Sequence, residues 1–401
     1  MKIHTISELG DIAGKYVLLR TDFNVQIVDG KITDTFRIEQ SLPTIRNLKK
    51  LGARIAIVSH LGRPNGERNP KYSNLPVALA LSELMGEPVP LVPDCIGEHV
   101  AGARRDMADG DVVLLENVRF HPGEEENNSE FSKELAHGFD IYVNDAFGVS
   151  HRAHASTVGV TKFLPSYAGE LLAREIGTLS NLMENPKRPL LGLISGAKIK
   201  SKISIIKALG KLCDKIICAG GIGTSMLVAQ GAKNLAMDAD NLDKYDESTD
   251  IQILEIIKEY GDKIILPVEK GVAPVWAKDT PRTNKMMAEI QPGDVIMDEG
   301  PASVKEYEHA IDSAKTIVWN GTVGMAEWPP VWSTGTFALA RYIADKTRAG
   351  EIESIIGGGD TVAALDAAGA KDDMTYVSTG GGAFLEFIEG RELPGIKALE
   401  K

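Results

Sequence analysis

Cysteine is scarce in this sequence: Cys95, Cys213 and Cys218 are the only three in 401 residues. They form no CxxC pair and no even framework, which argues against a disulfide-stapled secreted protein and against the common zinc motifs. Long apolar runs are missing too. No stretch of 18 apolar residues occurs, so no membrane span is expected. The opening Met1-Lys2-Ile3-His4-Thr5 carries no apolar h-region, and a cytoplasmic protein is expected. Positive charge is in deficit, with 44 Lys and Arg against 56 Asp and Glu and a net charge of −12. Such a chain is a poor candidate for nucleic acid or an anionic membrane surface. A small anionic ligand is still admissible, because a local arginine cluster can override the average.

Complete nucleotide motifs are also lacking. There is no GxxxxGK[ST], and neither Gly221-x-Gly223 nor Gly357-x-Gly359 reaches the third glycine of GxGxxG. His151-Arg152-Ala153 lacks the aspartate of a protein-kinase HRD.

What is present is an ordinary globular composition, 43% hydrophobic and 25% charged, of a length that predicts two or three domains. Short runs rich in Val, Ile and Leu recur, among them 16–19, 55–58, 112–115, 141–143, 190–194, 216–218, 295–297, 316–319, 354–356 and 375–377. Stretches of helical period lie between them, at 39–50, 76–85, 130–137, 201–212, 251–259, 303–313 and 361–368. Alternating strands and helices predict an α/β protein with parallel sheets covered by helices on both faces. Ten or more strands favour two sheets over one. A helix over 168–184, stopped by Asn185-Pro186, is expected to join the two domains as a hinge.

The residues after the strands fall into two kinds. Up to about residue 155 they are polar, with Arg20, Arg63, Arg119 and Arg152 at or just past strand ends. Arginine binds carboxylate and phosphate bidentately, so this set suits a small polyanion. Beyond about residue 190 they are glycines, including Gly357-Gly358-Gly359 and Gly380-Gly381-Gly382, each opening a helical pattern. The chain holds 40 glycines. Glycine loops at helix starts present N–H groups to anions. Lys198 and Lys202, four apart, are expected to share a helix face and reach a phosphate. Asp360 is a candidate Mg²⁺ ligand. Glu124-Glu125-Glu126 reads as a solvated charged segment. Ligands in open α/β sheets sit beyond the carboxyl ends of strands, so a small-molecule phosphotransferase fits best. A nicotinamide-dependent dehydrogenase and a non-catalytic anion-binding protein are the alternatives.

The motifs together resemble the phosphoglycerate kinase family over nearly the whole chain. They are Arg20-Thr-Asp-Phe-Asn-Val25, Ser59-His-Leu-Gly-Arg-Pro64, Leu115-Glu-Asn-Val-Arg-Phe120, Asn144-Asp-Ala-Phe-Gly148 with His151-Arg-Ala-His154, Gly196-Ala-Lys198, Val318-Trp-Asn-Gly321, Gly357-Gly-Gly-Asp-Thr361 and Ser378-Thr-Gly-Gly-Gly-Ala383. The resemblance implies two doubly wound, Rossmann-like domains: 1–170 with about 385–401 binding phosphoglycerate, and 171–384 binding nucleotide. It implies Mg²⁺-dependent transfer between 1,3-bisphosphoglycerate and ADP, giving 3-phosphoglycerate and ATP. Asp22, Asn24, Arg37, His60, Arg63, Arg119 and Arg152 are then expected to hold the phosphoglycerate. Lys198, Lys202, Gly221, Asn320, Glu327, Gly357, Gly358, Gly359, Asp360 and Thr361 are expected to hold the nucleotide, with Glu327 on the ribose and Asp360 near the metal. Arg37, Lys198, Gly358 and Gly381 are expected to stabilise the transferring phosphoryl group. Neither nucleic acid nor membrane is an expected partner, and a monomer or homodimer is expected. Ala219, Ala302, Thr322 and Ala326 depart from the family pattern, all on the nucleotide side. These departures leave ATP against GTP open and resemble the archaeal branch.

A two-domain kinase of this kind is expected to close on its ligands. Small-angle scattering should show a smaller radius of gyration with both substrates bound than with either alone; identical curves for the free and ternary states would contradict closure.

Overall fold

The computed structural model describes residues 2–232, 235 and 247–400. The chain divides into two compact units, Met1–Ser180 with Arg391–Lys401, and Asn181–Gly390. Each is built on one six-stranded parallel sheet.

In the first unit the strands are β1 (Tyr16–Arg20), β2 (Arg54–Val58), β3 (Leu91–Val92), β4 (Val112–Leu115), β5 (Ile141–Asn144) and β6 (Ser166–Ala168). Their order across the sheet is β3-β4-β2-β1-β5-β6, all parallel. Four residues of β1 and all of β5 are buried, as the near-continuous apolar composition of central parallel strands requires. Between strands run α1 (Phe36–Lys50), α2 (Leu75–Met85), α3 (Gly97–Asp106) and α4 (Ser129–Ala136). Helix α1 buries Ile38, Leu42, Ile45 and Leu48 on one stripe against the sheet. α5 (Glu170–Glu184) matches the helix expected before Asn185-Pro186, and the division between units falls within it. The last residues return to the first unit: His4 N–H donates to Leu399 and Gly395 N–H to Ser150.

In the second unit the main sheet contains β7 (Leu190–Ile194), β8 (Lys215–Cys218), β9 (Ile264–Ile265), β13 (Thr316–Asn320), β14 (Glu353–Gly357) and β15 (Tyr376–Val377). Their order is β9-β8-β7-β13-β14-β15. β7 and β13 are fully buried along their lengths. The order reverses between them, and this switch point is where an open α/β sheet leaves a crevice. The helices are α6 (Ile203–Leu212), α7 (Gly220–Ala229), α8 (Glu247–Tyr260), α9 (Pro301–Asp312), α10 (Thr334–Arg348), α11 (Gly359–Ala367) and α12 (Gly381–Ile388). Tyr307, Ile311, Leu339 and Ile343 pack on Trp319 and Ile317 in the core.

One strand differs from expectation. Residues 295–297 belong to no parallel sheet. β12 (Val295–Glu299) pairs antiparallel with β10 (Glu269–Ala273), which pairs antiparallel with β11 (Thr283–Met286). An apolar run reports burial, not the direction of its neighbour. The charged start of β10 and its glycine also hid it from a search for apolar runs.

At the end of β5, Asp145 accepts the N–H groups of Leu171 and Leu172 at the start of α5. Burial pushes its carboxyl up to about 7. A group raised above its unfolded value stabilises the fold at low pH, and that contribution is lost as pH rises through the folded value. Asp145→Asn should therefore gain melting temperature relative to the parent between pH 5 and pH 8. A difference that does not vary with pH would contradict the shift.

Candidate functional site

Two groups of expected residues assemble, one in each unit. In the first unit, the loops after β1, β2 and β4 bring the anion-binding candidates together. Arg37, in the first turn of α1, donates through Nη1 to Asp22 Oδ2 at 3.1 Å and to the Asn24 carbonyl at 3.1 Å. Asn24 Oδ1 accepts the Gly62 N–H at 2.8 Å. Arg119 donates through Nη1 to the Gly62 carbonyl at 2.8 Å, and its Nε lies 3.2 Å from Glu125. Arg152 is half-buried and donates from Nε to His151 Nε2. Arg63 is exposed in the loop after β2.

His60 shows what this crowding does. It is buried, and its Nδ1 accepts from Arg20 at 3.4 Å, which leaves the ring proton on Nε2. Asp22 Oδ1 lies 3.8 Å away. Burial, then the charges of Arg20, Arg119, Arg37 and Arg152, push its pKa well below 6.5. Four guanidinium groups thus act on one point. Burial and the neighbouring Arg20 and Arg152 also lower the proton affinity of Arg119 against the pull of Glu125. Excess cationic charge held in place favours a small anion at this point.

Two expectations about charge are corrected here. Arg20 is fully buried, and its donors are taken up inside the fold. It donates to Ser156 Oγ at 2.7 Å and to the Thr21 carbonyl, and lies 3.9 Å from Glu124. Glu124 is not solvated. It is fully buried and accepts from Ser156 N–H and Oγ. Burial pushes its carboxyl up, but His154, Arg20 and Ser156 together outweigh this and hold it below the ordinary value. Sequence reasoning missed this anchor because three consecutive glutamates look alike on paper. Asn117 was missed as well. Its side chain clamps the Leu61 and Tyr72 carbonyls, positioning the loop that carries His60 and Arg63.

In the second unit a cavity of about 1040 Å³ opens at the switch point between β7 and β13. Lys198, Lys202, Gly221, Asn320, Glu327, Gly358, Gly359, Asp360, Thr361 and Gly381 all line it. Lys198 and Lys202 do not form a helical pair. Lys198 has extended backbone, and residues 199–202 form a 3₁₀ turn before α6. The cavity still gathers both. Lys202 donates to Asn320 Oδ1 at 3.0 Å, and Asn320 Nδ2 donates to the Gly357 carbonyl at 2.8 Å. Burial lowers the Lys202 pKa against the opposing pull of Asp360 and Glu389.

The two glycine loops lie side by side. A Cβ at Gly381 would stand 3.6 Å from Gly358 Cα. Gly358 has φ of +103°, and a Cβ there would be 2.6 Å from Asn320 Nδ2, so no larger residue fits without displacing the strand end. α11 and α12 thereby aim their N-termini into one cavity. Thr361 is buried, and its hydroxyl accepts from Gly321 N–H at 2.7 Å. Gly357 is buried behind the loop as an acceptor rather than in the lining. Glu327 is exposed at the rim. Away from the Lys–Gly end the lining turns apolar, with Trp276, Val295, Met297, Met325 and Pro329. No motif pointed to these residues, which come from the antiparallel sheet and irregular loops.

Asp360 is exposed in the first turn of α11, beside the Lys202 charge. One carboxylate next to phosphate-binding N–H groups suits Mg²⁺, which takes its other ligands from phosphate and water. Among the described residues, Asp94, Cys95 and His121 place metal-capable atoms within 4.8 Å of one another. Asp94 already bonds to His121 at 2.7 Å and Arg68 at 2.8 Å, and burial pushes the Cys95 thiol up. This group is a hydrogen-bonded cluster in the structure. No helix among the described residues is long and apolar enough to cross a membrane.

The sequence model of the phosphoglycerate kinase family matches residues 6–391. A protein named phosphoglycerate kinase from Methylorubrum extorquens is 43% identical over 395 residues, covering 98% of each chain. One from Borreliella burgdorferi is 44% identical over 405 residues, covering both chains fully. The solved phosphoglycerate kinase of Coxiella burnetii covers 99% of both chains with a TM-score of 0.83 and 38% identity. That of Pyrococcus horikoshii covers 99% and 98% with a TM-score of 0.86 and 28% identity. The higher identities to bacterial chains do not support the archaeal leaning read from Ala219, Ala302, Thr322 and Ala326.

The charge around His60 generates a prediction. The imidazole should be neutral at pH 6.5 in the ligand-free protein, with its proton on Nε2, by ¹⁵N NMR. A saturating phosphorylated acid should raise its pKa. The unfolded histidine binds a proton that the folded one refuses, so this group costs stability as pH falls below 6.5. A free-protein midpoint at or above 6.5 would contradict the assignment.

Proposed function

This chain belongs to the phosphoglycerate kinase family, and we propose that its first unit binds the phosphoglycerate while its second binds the nucleotide. The enzyme is a phosphotransferase that moves a phosphoryl group reversibly between 1,3-bisphosphoglycerate and ADP, giving 3-phosphoglycerate and ATP. The observation that carries the division is the separation of charge types. Guanidinium groups converge on His60 in one unit, and two helix N-termini with two lysines line a cavity in the other.

In this reading Arg63, Arg119 and Arg152 bind the anionic groups of the phosphoglycerate, with His60 as a neutral donor. Asp22 and Asn24 orient Arg37. Lys202 and the 357–361 loop hold the nucleotide phosphates, Asn320 fixes that loop, and Glu327 takes the ribose. The apolar end of the cavity, with Trp276 and Met325, suits the base. Gly221 at the start of α7 lets the nucleotide approach the backbone.

The chemistry asks little of acid or base groups. In the direction of ATP use, the attacking group is a substrate carboxylate, ionised at pH 7. What is needed is alignment and charge stabilisation. Arg37 and Lys198 supply side-chain positive charge. Backbone N–H groups at Gly358 and Gly381 supply fixed donors. When bound, Mg²⁺ would neutralise phosphate charge, and Asp360 is the residue suited to hold it. A cytoplasmic enzyme acting as a monomer or homodimer fits this reading.

A coupled assay for Mg²⁺-ATP-dependent phosphorylation of 3-phosphoglycerate tests it. Arg37→Ala should lower kcat at least 100-fold, about 3 kcal/mol of transition-state stabilisation, while circular dichroism and melting stay near the parent. Turnover within a few-fold of the parent would remove Arg37 from the chemistry.

A further inference from the structure

The antiparallel sheet beside the nucleotide cavity contains a buried ion pair that no motif announces. Lys270 on β10 and Glu299 on β12 are direct cross-strand partners. Their side chains are fully buried and lie 2.7 Å apart. Both charges bond to the same residue of another element. Lys270 Nζ donates to the Gly220 carbonyl at 3.1 Å, and Glu299 Oε1 accepts the Gly220 N–H at 2.7 Å. The peptide groups on both sides of Gly220 are thus held by opposite charges, each matched in sign to the group it holds.

Gly220 begins α7 and lines the cavity with Gly221. Its φ is +58°, and a Cβ would stand 2.6 Å from Ser195 Oγ, so the turn is tightly enclosed. Thr224 Oγ1 adds a second donor to the Gly220 carbonyl at 3.0 Å. A buried ion pair is poor value as a stabiliser, because desolvating two charges consumes most of their attraction. A directional task explains its presence better. Two apolar side chains could fill the same space, but they could not hold an N–H and a carbonyl in set directions.

We propose that Lys270 and Glu299 are a positioning pair for the nucleotide, orienting the Gly220-Gly221 turn that lines the cavity. The pair rests on the assignment of this cavity to the nucleotide. It touches no reacting atom, so its loss weakens nucleotide binding and leaves the handling of 3-phosphoglycerate alone.

Single substitutions leave a lone buried charge and are expected to unfold or destabilise the unit. Two double variants avoid this. Lys270→Met with Glu299→Leu removes both charges. Lys270→Glu with Glu299→Lys keeps an ion pair but sets a carboxylate against the Gly220 carbonyl and an ammonium against its N–H. Both should raise the KM for ATP by about tenfold or more, with the KM for 3-phosphoglycerate within about twofold of the parent. Calorimetric titration with ADP should show the same loss of affinity. Lys202→Ala, which touches the cavity without touching the pair, should also raise the KM for ATP. If Lys202→Ala does so and a folded double variant keeps the parent KM, the pair has no positioning role. If Lys202→Ala also leaves the KM for ATP unchanged, the cavity assignment fails and the pair falls with it. A charge-swapped variant that folds and binds ADP like the parent would overturn the proposal by itself.

Discussion

Parallel pairing is the constraint on which the rest of the molecule depends. β1 lies between β2 and β5, and β7 between β8 and β13, every strand running the same way. The carboxyl ends of all these strands therefore emerge on one edge of each sheet. Polar loops that are far apart in sequence must meet there. Asp22, His60 and Arg119 come together in this way across almost a hundred residues. Lys202, Asn320 and the 357–361 loop come together across a longer span. Crossover connections of a dozen or more residues are what make such convergence possible.

Charge then sets the quality of each site. In the first unit, the arginines would repel one another into solvent if they were not tethered. Asp22 holds Arg37, Glu125 and the Gly62 carbonyl hold Arg119, and the buried Arg20–Glu124 pair supports the floor. The tethers leave net positive charge at the centre, where neutral His60 records it. In the second unit fixed dipoles act beside side-chain charge. Asn320 links Lys202 to the glycine loop, so cation and backbone donors are held in one arrangement. Both devices suit phosphoryl transfer, which rewards preorganised charge more than proton transfer.

Much of this was legible in the chain. Central strands announced themselves as runs of Val, Ile and Leu, because burial on both faces leaves no room for alternation. Glycine triplets at 357–359 and 380–382 marked helix starts, since only small residues admit that approach. Other features were not legible. β10 has a charged start and a glycine, so it looked like a loop. Glu124 could not be told from Glu125 and Glu126, although one is a buried anchor and its neighbours are exposed. The Lys198–Lys202 spacing suggested a helix face, but a 3₁₀ turn intervenes, and the two lysines share a cavity for a different reason.

The sequence by itself determined the parts: two sheets, arginine-rich ends in one half, glycine-rich ends in the other, and motifs dense enough to name a family. The sheets and the two kinds of strand end are local facts, readable from composition and periodicity, whereas the family resemblance rests on the order of motifs along nearly the whole chain. Only the tertiary structure decided which charges are sealed inside the fold and which are held at the strand ends. Arg20 and Arg119 look equivalent in the chain, yet one is sealed between Ser156, the Thr21 carbonyl and Glu124 and the other is tethered to the Gly62 carbonyl and Glu125. Lys270 and Glu299 look like two surface residues, yet they enclose Gly220 from opposite strands. A charge acquires its role from burial and from the sign of its nearest neighbour, and both are set by contacts between segments that the linear order leaves far apart.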